Sequence, residues 1–191
     1  MLNLPDGSTY TFGSVCPNAL KSLTRSDGTG LSYYYTAGLL TKVVSNSGRY
    51  VTLTYNSNNF VSQVTDNIGR SVSYTYNSSG QIATVTYPDT TTEQYTYDGN
   101  GNMLTVQDRR GNIVTTNRYD ANQRVSQQTL ADGALYQFAY TLSGTSVSAT
   151  AVTRPNNAVH YLAFDAAGYP SSITDAYGTS LAQTTTFVRG Q

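Results

Sequence analysis

Residues 95–120 read "YTYDGNGNMLTVQDRRGNIVTTNRYD", and Tyr97-Asp98 returns as Tyr119-Asp120 after 22 residues. Glycine and asparagine cluster after the first Tyr-Asp and again midway, at Asp108-Arg-Arg-Gly111-Asn112. Internal periodicity is the first thing to test in such a chain. Aligning on the aromatic that precedes a turn cluster gives Phe12, Tyr34, Tyr55, Tyr76, Tyr97, Tyr119, Tyr140, Phe164 and Phe187. The intervals are 22, 21, 21, 21, 22, 21, 24 and 23 residues. Spacing that regular is not a product of composition, so the stretch is one unit of an array.

Other slots keep the same register. One residue after the aromatic stand Asn56, Asn77, Asp98, Asp120 and Asp165, and four after it stand Gly38, Gly80, Gly101, Gly144 and Gly168. Nine after it come Val43, Val64, Val85, Val106 and Ile173. A second turn cluster lies midway, carried by Gly48, by Asp66 with Gly69, by Asp108 with Gly111, and by Gly133 and Gly178. Asp or Asn opening a turn bonds its own backbone two residues on, and glycine accepts the positive φ that such turns require.

Between turns run segments such as Ser71-Val-Ser-Tyr-Thr-Tyr76, with β-branched and aromatic residues in partial period-2 alternation. That pattern reads as strand. Two strands of about seven residues per repeat, each roughly 23 Å long, must pair antiparallel across tight turns. The predicted fold class is all-β: an antiparallel meander of short hairpins in a repetitive, curling sheet with almost no helix. The array spans 1–191 as a single domain, with repeats from about residue 10, best defined over 34–140 and weaker over 1–33 and 141–191. Equivalent tyrosines stand about two strand spacings apart, so filler is needed between them, and the valine or isoleucine slots are the expected suppliers, with the residue that fills each gap depending on a register the sequence leaves open. A sheet this wide twists and curls rather than staying flat, leaving two unpaired edges.

Composition narrows the function classes. Lys+Arg and Asp+Glu are both 11 and charged residues are 12% of the chain, which argues against the clustered cations that nucleic-acid binding needs. No apolar run is long enough to span a bilayer as a helix. The start, Met1-Leu-Asn-Leu-Pro-Asp-Gly7, shows no signal peptide.

The pattern Tyr-Asp-x-x-Gly-x-x-x-x-Val-x-Asp-x-x-Gly resembles the YD repeats of Rhs proteins. These repeats also occur in the C component of insecticidal toxin complexes, in wall-associated polymorphic toxins and in animal teneurins. Residues 97–120 are closest to it, and 76–97 nearly as close. The resemblance implies a spiralling β-sheet closing into a hollow shell around a C-terminal toxin, secreted or displayed at the cell surface. In bacteria delivery is often through a type VI secretion apparatus or a toxin-complex injector. Such shells contain far more repeats than nine. Neither an Asp-Pro-containing self-cleavage motif nor a variable toxin domain is visible here. The chain is therefore expected to be a segment, partnered by the remaining repeats and an enclosed toxin.

The chemistry-bearing residues are sparse. His160 and Cys16 are the sole histidine and thiol, and they lie several repeats apart, so a catalytic pair is not expected. No metal or cofactor is expected, because no ligand spacing recurs. The turn aspartates Asp66, Asp108 and Asp175 could be read as calcium ligands, but turn capping accounts for them. Asn77-Ser-Ser79 fits a glycosylation sequon, which turn formation explains equally. The structural positions are then the aromatic row with Asp98, Asp120, Asp165, Asp66, Asp108, Gly69, Gly111 and the slot glycines. A non-enzymatic scaffold is the primary reading. The alternative is a carbohydrate- or surface-binding module that stacks exposed tyrosine rows on sugar rings.

Overall fold

A computed structural model describes residues 1–13 and 19–188, and Cys16 lies outside them. The chain divides into two compact units, 1–93 and 94–191. The described residues contain eighteen strands and no helix.

In the first unit the strands are β1 (Leu2–Asn3), β2 (Thr9–Phe12), β3 (Leu20–Thr24), β4 (Gly30–Thr36), β5 (Leu39–Ser45), β6 (Tyr50–Tyr55), β7 (Val61–Asp66), β8 (Ser71–Tyr76) and β9 (Ile82–Thr86). The second unit carries β10 (Thr92–Tyr97, beginning just before its boundary), β11 (Met103–Gln107), β12 (Ile113–Tyr119), β13 (Val125–Leu130), β14 (Leu135–Ser143), β15 (Ser146–Thr153), β16 (Val159–Phe164), β17 (Pro170–Asp175) and β18 (Gln183–Thr186). Within each unit every strand pairs antiparallel with its neighbour in sequence, giving a meander of hairpins. Strands are short, mostly five to seven residues, because a turn arrives roughly every ten residues.

One turn scaffold recurs. In the turn 98–102 the Asp98 amide donates to the Asn102 carbonyl (2.9 Å), and the Gly101 amide donates to the Asp98 carbonyl (3.1 Å). The same two bonds close thirteen described turns, beginning at residues 4, 25, 45, 56, 66, 77, 87, 98, 108, 120, 130, 154 and 165. This is the hairpin loop in which a type I turn is followed by a left-handed residue. The fourth position has positive φ in all thirteen, whether the residue is glycine (Gly101, φ 87) or not (Asn59, 61; Thr90, 68; Gln123, 63; Asn157, 64). Two slot glycines sit in other loops. Ala37-Gly38 forms a two-residue turn with both φ positive (49 and 83), and Gly144 (φ 63) lies in the short β14–β15 loop.

The ladder fixes the register that the sequence leaves open. On one face the cross-strand rows are Tyr10–Leu23–Leu31, Tyr33–Val43–Val51 and Leu53–Val64–Val72. On the other they are Thr54–Gln63–Ser73–Thr86 and Thr52–Thr65–Ser71. The second unit repeats the division, with Tyr95–Val106 on one face and Thr96–Thr105–Thr116–Thr129 on the other. The register also places the neighbours of the row tyrosines. The residues across from Tyr55, Tyr76, Tyr97 and Tyr119 are Val61, Ile82, Met103 and Val125, whereas Val64, Val85 and Val106 of the ninth slot face the residue two before the tyrosine. A β-bulge immediately before each of these tyrosines shifts the pairing and produces this offset.

Burial is shallow throughout. Among the described apolar residues only Val85 (8% exposed) and Ala149 (3%) are buried. The chain exposes 12569 Å². Two separate compact bodies of half its mass would expose about 10,700 Å² together, from the usual area–mass scaling. Among the described residues, too few apolar side chains are buried in either unit to make a conventional core. Cohesion must come from the ladders and turns themselves.

Substitutions at equivalent turn positions should therefore move stability in opposite directions. Gly101→Val forces a β-branched residue to φ 87 and is expected to cost about 1–2 kcal/mol or more, whereas Gln123→Gly relieves the left-handed residue and gains up to about 1 kcal/mol. Urea midpoints of the two variants check both signs.

Candidate functional site

The recurring side-chain device is a tyrosine that reaches back one repeat. Tyr55 ends β6, and its hydroxyl donates to the Leu40 carbonyl near the start of β5 (2.7 Å). Tyr76 does the same to Val61 (2.7 Å), Tyr119 to Met103 (2.7 Å) and Tyr140 to Val125 (2.7 Å). Each acceptor is the first or second residue of the preceding strand, 15 or 16 residues earlier. The hydroxyl therefore ties the end of one hairpin to the residue just beyond the previous repeat's turn.

The fifth residue of that previous turn covers the ring. Phe60 lies 5.0 Å from the Tyr76 ring, tilted by 34°, and the Arg124 guanidinium stands 4.6 Å over Tyr140. Both are aromatic or cationic contacts of favourable geometry. A side chain at Gly80 would meet the Phe60 ring at 2.9 Å, so this glycine also makes room for the cover. Burial pushes the Tyr76, Tyr97 and Tyr140 hydroxyls above the ordinary tyrosine value, with Tyr74 adding to the rise at Tyr76 and Asp120 at Tyr140.

Most turn carboxylates are consumed within their own loops, whereas Asp175, expected as a turn cap, instead meets His160 and Arg154. Asp98 Oδ1 accepts the amides of Asn100 and Asn102, both at 2.9 Å, and Oδ2 accepts Asn102 Nδ2 at 3.0 Å. Asp66, Asp108, Asp120 and Asp165 repeat the two amide bonds, as do Asn56 and Asn77 through their carbonyl oxygens. Arg70 pairs with Asp66 at 2.7 Å and Arg124 with Asp120 at 2.7 Å. These bonds hold Asp66, Asp98, Asp108 and Asp120 below their ordinary value. The Asn102 side chain is the main cause at Asp98, and the Arg124 side chain at Asp120. The Asn112 amide leads at Asp108, while at Asp66 burial pulls upward and Arg70 with two turn amides outweighs it. Oxygens so occupied are turn caps.

The sequence positions fall into this device unevenly. Tyr55, Tyr76, Tyr119 and Tyr140 carry the clamp. Tyr34 does not: it is 53% exposed, and Tyr35 donates to the Leu20 carbonyl instead (3.0 Å). The two-residue turn at Ala37-Gly38 shortens that loop and moves the clamp by one position. Tyr97 stands across from Met103 beyond its bulge, as Phe164 stands across from Pro170, and the phenylalanine has no hydroxyl to donate. The Asn77 amide nitrogen of the sequon donates to Gln81 Oε1 (3.0 Å). His160 is engaged locally: its Nδ1 is 2.7 Å from Asp175 Oδ1, which also meets Arg154 at 3.4 Å. The covering residues Phe60 and Arg124 escaped sequence reasoning, because phenylalanine, arginine, asparagine and glutamine alternate in the fifth turn position.

The sequence profile described as the teneurin YD-shell matches residues 20–184. A search of curated proteins gives no match. Among solved structures, that of TcdB2-TccC3 superimposes with a TM-score of 0.56 at 10% identity, covering 88% of this chain and 12% of that one. The same complex without its hypervariable C-terminal region gives 0.53 at 10% identity, with 88% and 11% covered. A Photorhabdus luminescens Tc holotoxin pore gives 0.53 at 11%, again with 88% and 11% covered. At this identity the likeness is one of fold, and the chain spans about one-eighth of the length of these structures.

Two consequences are measurable. Tyr140→Phe removes one clamp and should lower the unfolding free energy by about 0.5–1.5 kcal/mol, seen as a lower urea midpoint at unchanged slope. Acid should weaken the turns. A carboxylate whose folded pKa lies below its unfolded value of 3.8 contributes fully above that value and loses its contribution as pH falls through the folded value. The urea midpoint should hold down to about pH 5 and drop toward about pH 2, with the fall reduced in Asp98→Asn.

Proposed function

The chain belongs to the teneurin YD-shell family, and from that premise we propose that its repeats are a stretch of the wall of a larger secreted β-shell that encloses a toxin segment until delivery. Its role is structural. The clamp supports this reading most directly, because Tyr55, Tyr76, Tyr119 and Tyr140 each tie their repeat to the one before it, reinforcing the ladder by which repeats can be added to a wall. The shallow burial fits too, since a wall is one sheet thick and its stability is spread along it.

The solved relatives supply the cargo half of the proposal. One is named for a hypervariable C-terminal region that can be absent, and another is a holotoxin pore. A segment covering 12% of such a chain would contribute a few turns of the enclosure, with further repeats supplying the rest. A glycan-binding surface is less well supported, because the hydroxyls of Tyr55, Tyr76, Tyr119 and Tyr140 already donate to backbone carbonyls.

Limited proteolysis of the full-length polypeptide that carries these repeats tests the enclosure. The segment following the repeats should resist trypsin in the intact protein, and become sensitive when Tyr76 and Tyr140 are both replaced by alanine. Equal sensitivity with and without those substitutions, or saturable glycan binding that they abolish, would overturn it.

A further inference from the structure

Asn100-Gly101 is the one Asn-Gly pair in the sequence, and it occupies the third and fourth positions of the turn 98–102. Glycine lacks the Cβ that would shield its backbone nitrogen, so this nitrogen is the most accessible internal nucleophile an asparagine side chain can have. We propose that Asn100 is a deamidation site held in check by the fold, and that its conversion releases the Tyr119 clamp.

The reaction balances without an oxidant or cofactor. Solvent base takes the Gly101 amide proton, and the nitrogen attacks Asn100 Cγ. The Cγ–Nδ2 bond breaks, ammonia leaves, and a five-membered succinimide forms. Water then opens either carbonyl, giving aspartate or isoaspartate.

Folding opposes the first step. Both residues are exposed, so solvent reaches them, but the Gly101 N–H is donated to the Asp98 carbonyl at 3.1 Å. The Asn100 amide is held by Asp98 Oδ1 at 2.9 Å, which restrains the Asn100 backbone within the turn. Attack therefore requires the turn to open. Such local opening costs far less than global unfolding in a loop of this kind.

The product matters because of what adjoins the turn. Isoaspartate routes the backbone through the former side chain, lengthening a loop closed by the Asp98 amide to Asn102 carbonyl bond (2.9 Å), and either product adds a negative charge near Asp98. The next residue is Met103, whose carbonyl accepts both the Tyr119 hydroxyl (2.7 Å) and Asn117 Nδ2 (3.1 Å). A turn that no longer closes cannot hold that carbonyl in place. Other first-turn slots avoid the chemistry, with Ser79-Gly80, Ala167-Gly168 and Asn122-Gln123 where this one has Asn100-Gly101.

The test is timed incubation of the full chain in mildly alkaline buffer, with and without urea, followed by peptide mapping by mass spectrometry. Acid and isoaspartate forms should accumulate at Asn100, at least about tenfold more slowly in the folded chain than in urea. Hydrogen exchange on the converted chain, separated by ion exchange, should show lost protection across residues 98–103 and at the β11–β12 pairing. Equal rates in the two solvents, no conversion at Asn100 in urea, or unchanged protection after conversion would each overturn the proposal.

Discussion

Beyond the backbone ladder, a hydrogen bond from a tyrosine hydroxyl to a carbonyl 15 or 16 residues earlier ties one hairpin to the next at Tyr55, Tyr76, Tyr119 and Tyr140. It is needed because the sheet lacks what usually stabilises a domain. With Val85 and Ala149 as the only buried apolar residues described, hydrophobic burial is partial at every other described position. Such a bond contributes only about 0.5–1.5 kcal/mol net, but it recurs and acts between nearest neighbours. The residue at the end of each turn adds to it, as Phe60 does on Tyr76 and Arg124 on Tyr140.

The turns make that geometry repeatable. One backbone scaffold serves thirteen loops, and two side-chain solutions fit it. An Asp or Asn at the first position accepts two amides, as Asp98 does. Alternatively an acid or amide at the third position accepts one, as Asp6, Asp132 and Asn156 do. The scaffold therefore survives considerable drift in sequence, and even the absence of glycine, since Asn59, Thr90 and Gln123 take up the left-handed conformation.

That tolerance explains what could be read beforehand. The hairpin meander, its turn positions and its tyrosine row were legible because Asp, Asn, Gly and Tyr recur at fixed offsets. The clamp was less so: a hydroxyl's partner is a backbone carbonyl, which leaves no mark in the sequence. Tyr35 rather than Tyr34 carries it in one repeat because the Ala37-Gly38 loop is shorter, and three consecutive tyrosines conceal the shift. Which residue stands across from each row tyrosine was not legible, because a bulge precedes the tyrosine and nothing in the alternation of Thr54, Tyr55 or Thr75, Tyr76 announces it. A wall built from such units can be extended by adding repeats, which is the property that the shell reading relies on.

The most direct measurement is residue-resolved hydrogen exchange on Tyr76→Phe. If the tyrosine clamps bind each repeat to its predecessor, amide protection should fall in the turn 56–60, at Val61 and along the β7–β8 ladder. Protection at the β2–β3 pairing should keep its original value. A loss spread evenly over the first unit, or none near Val61, would contradict the account.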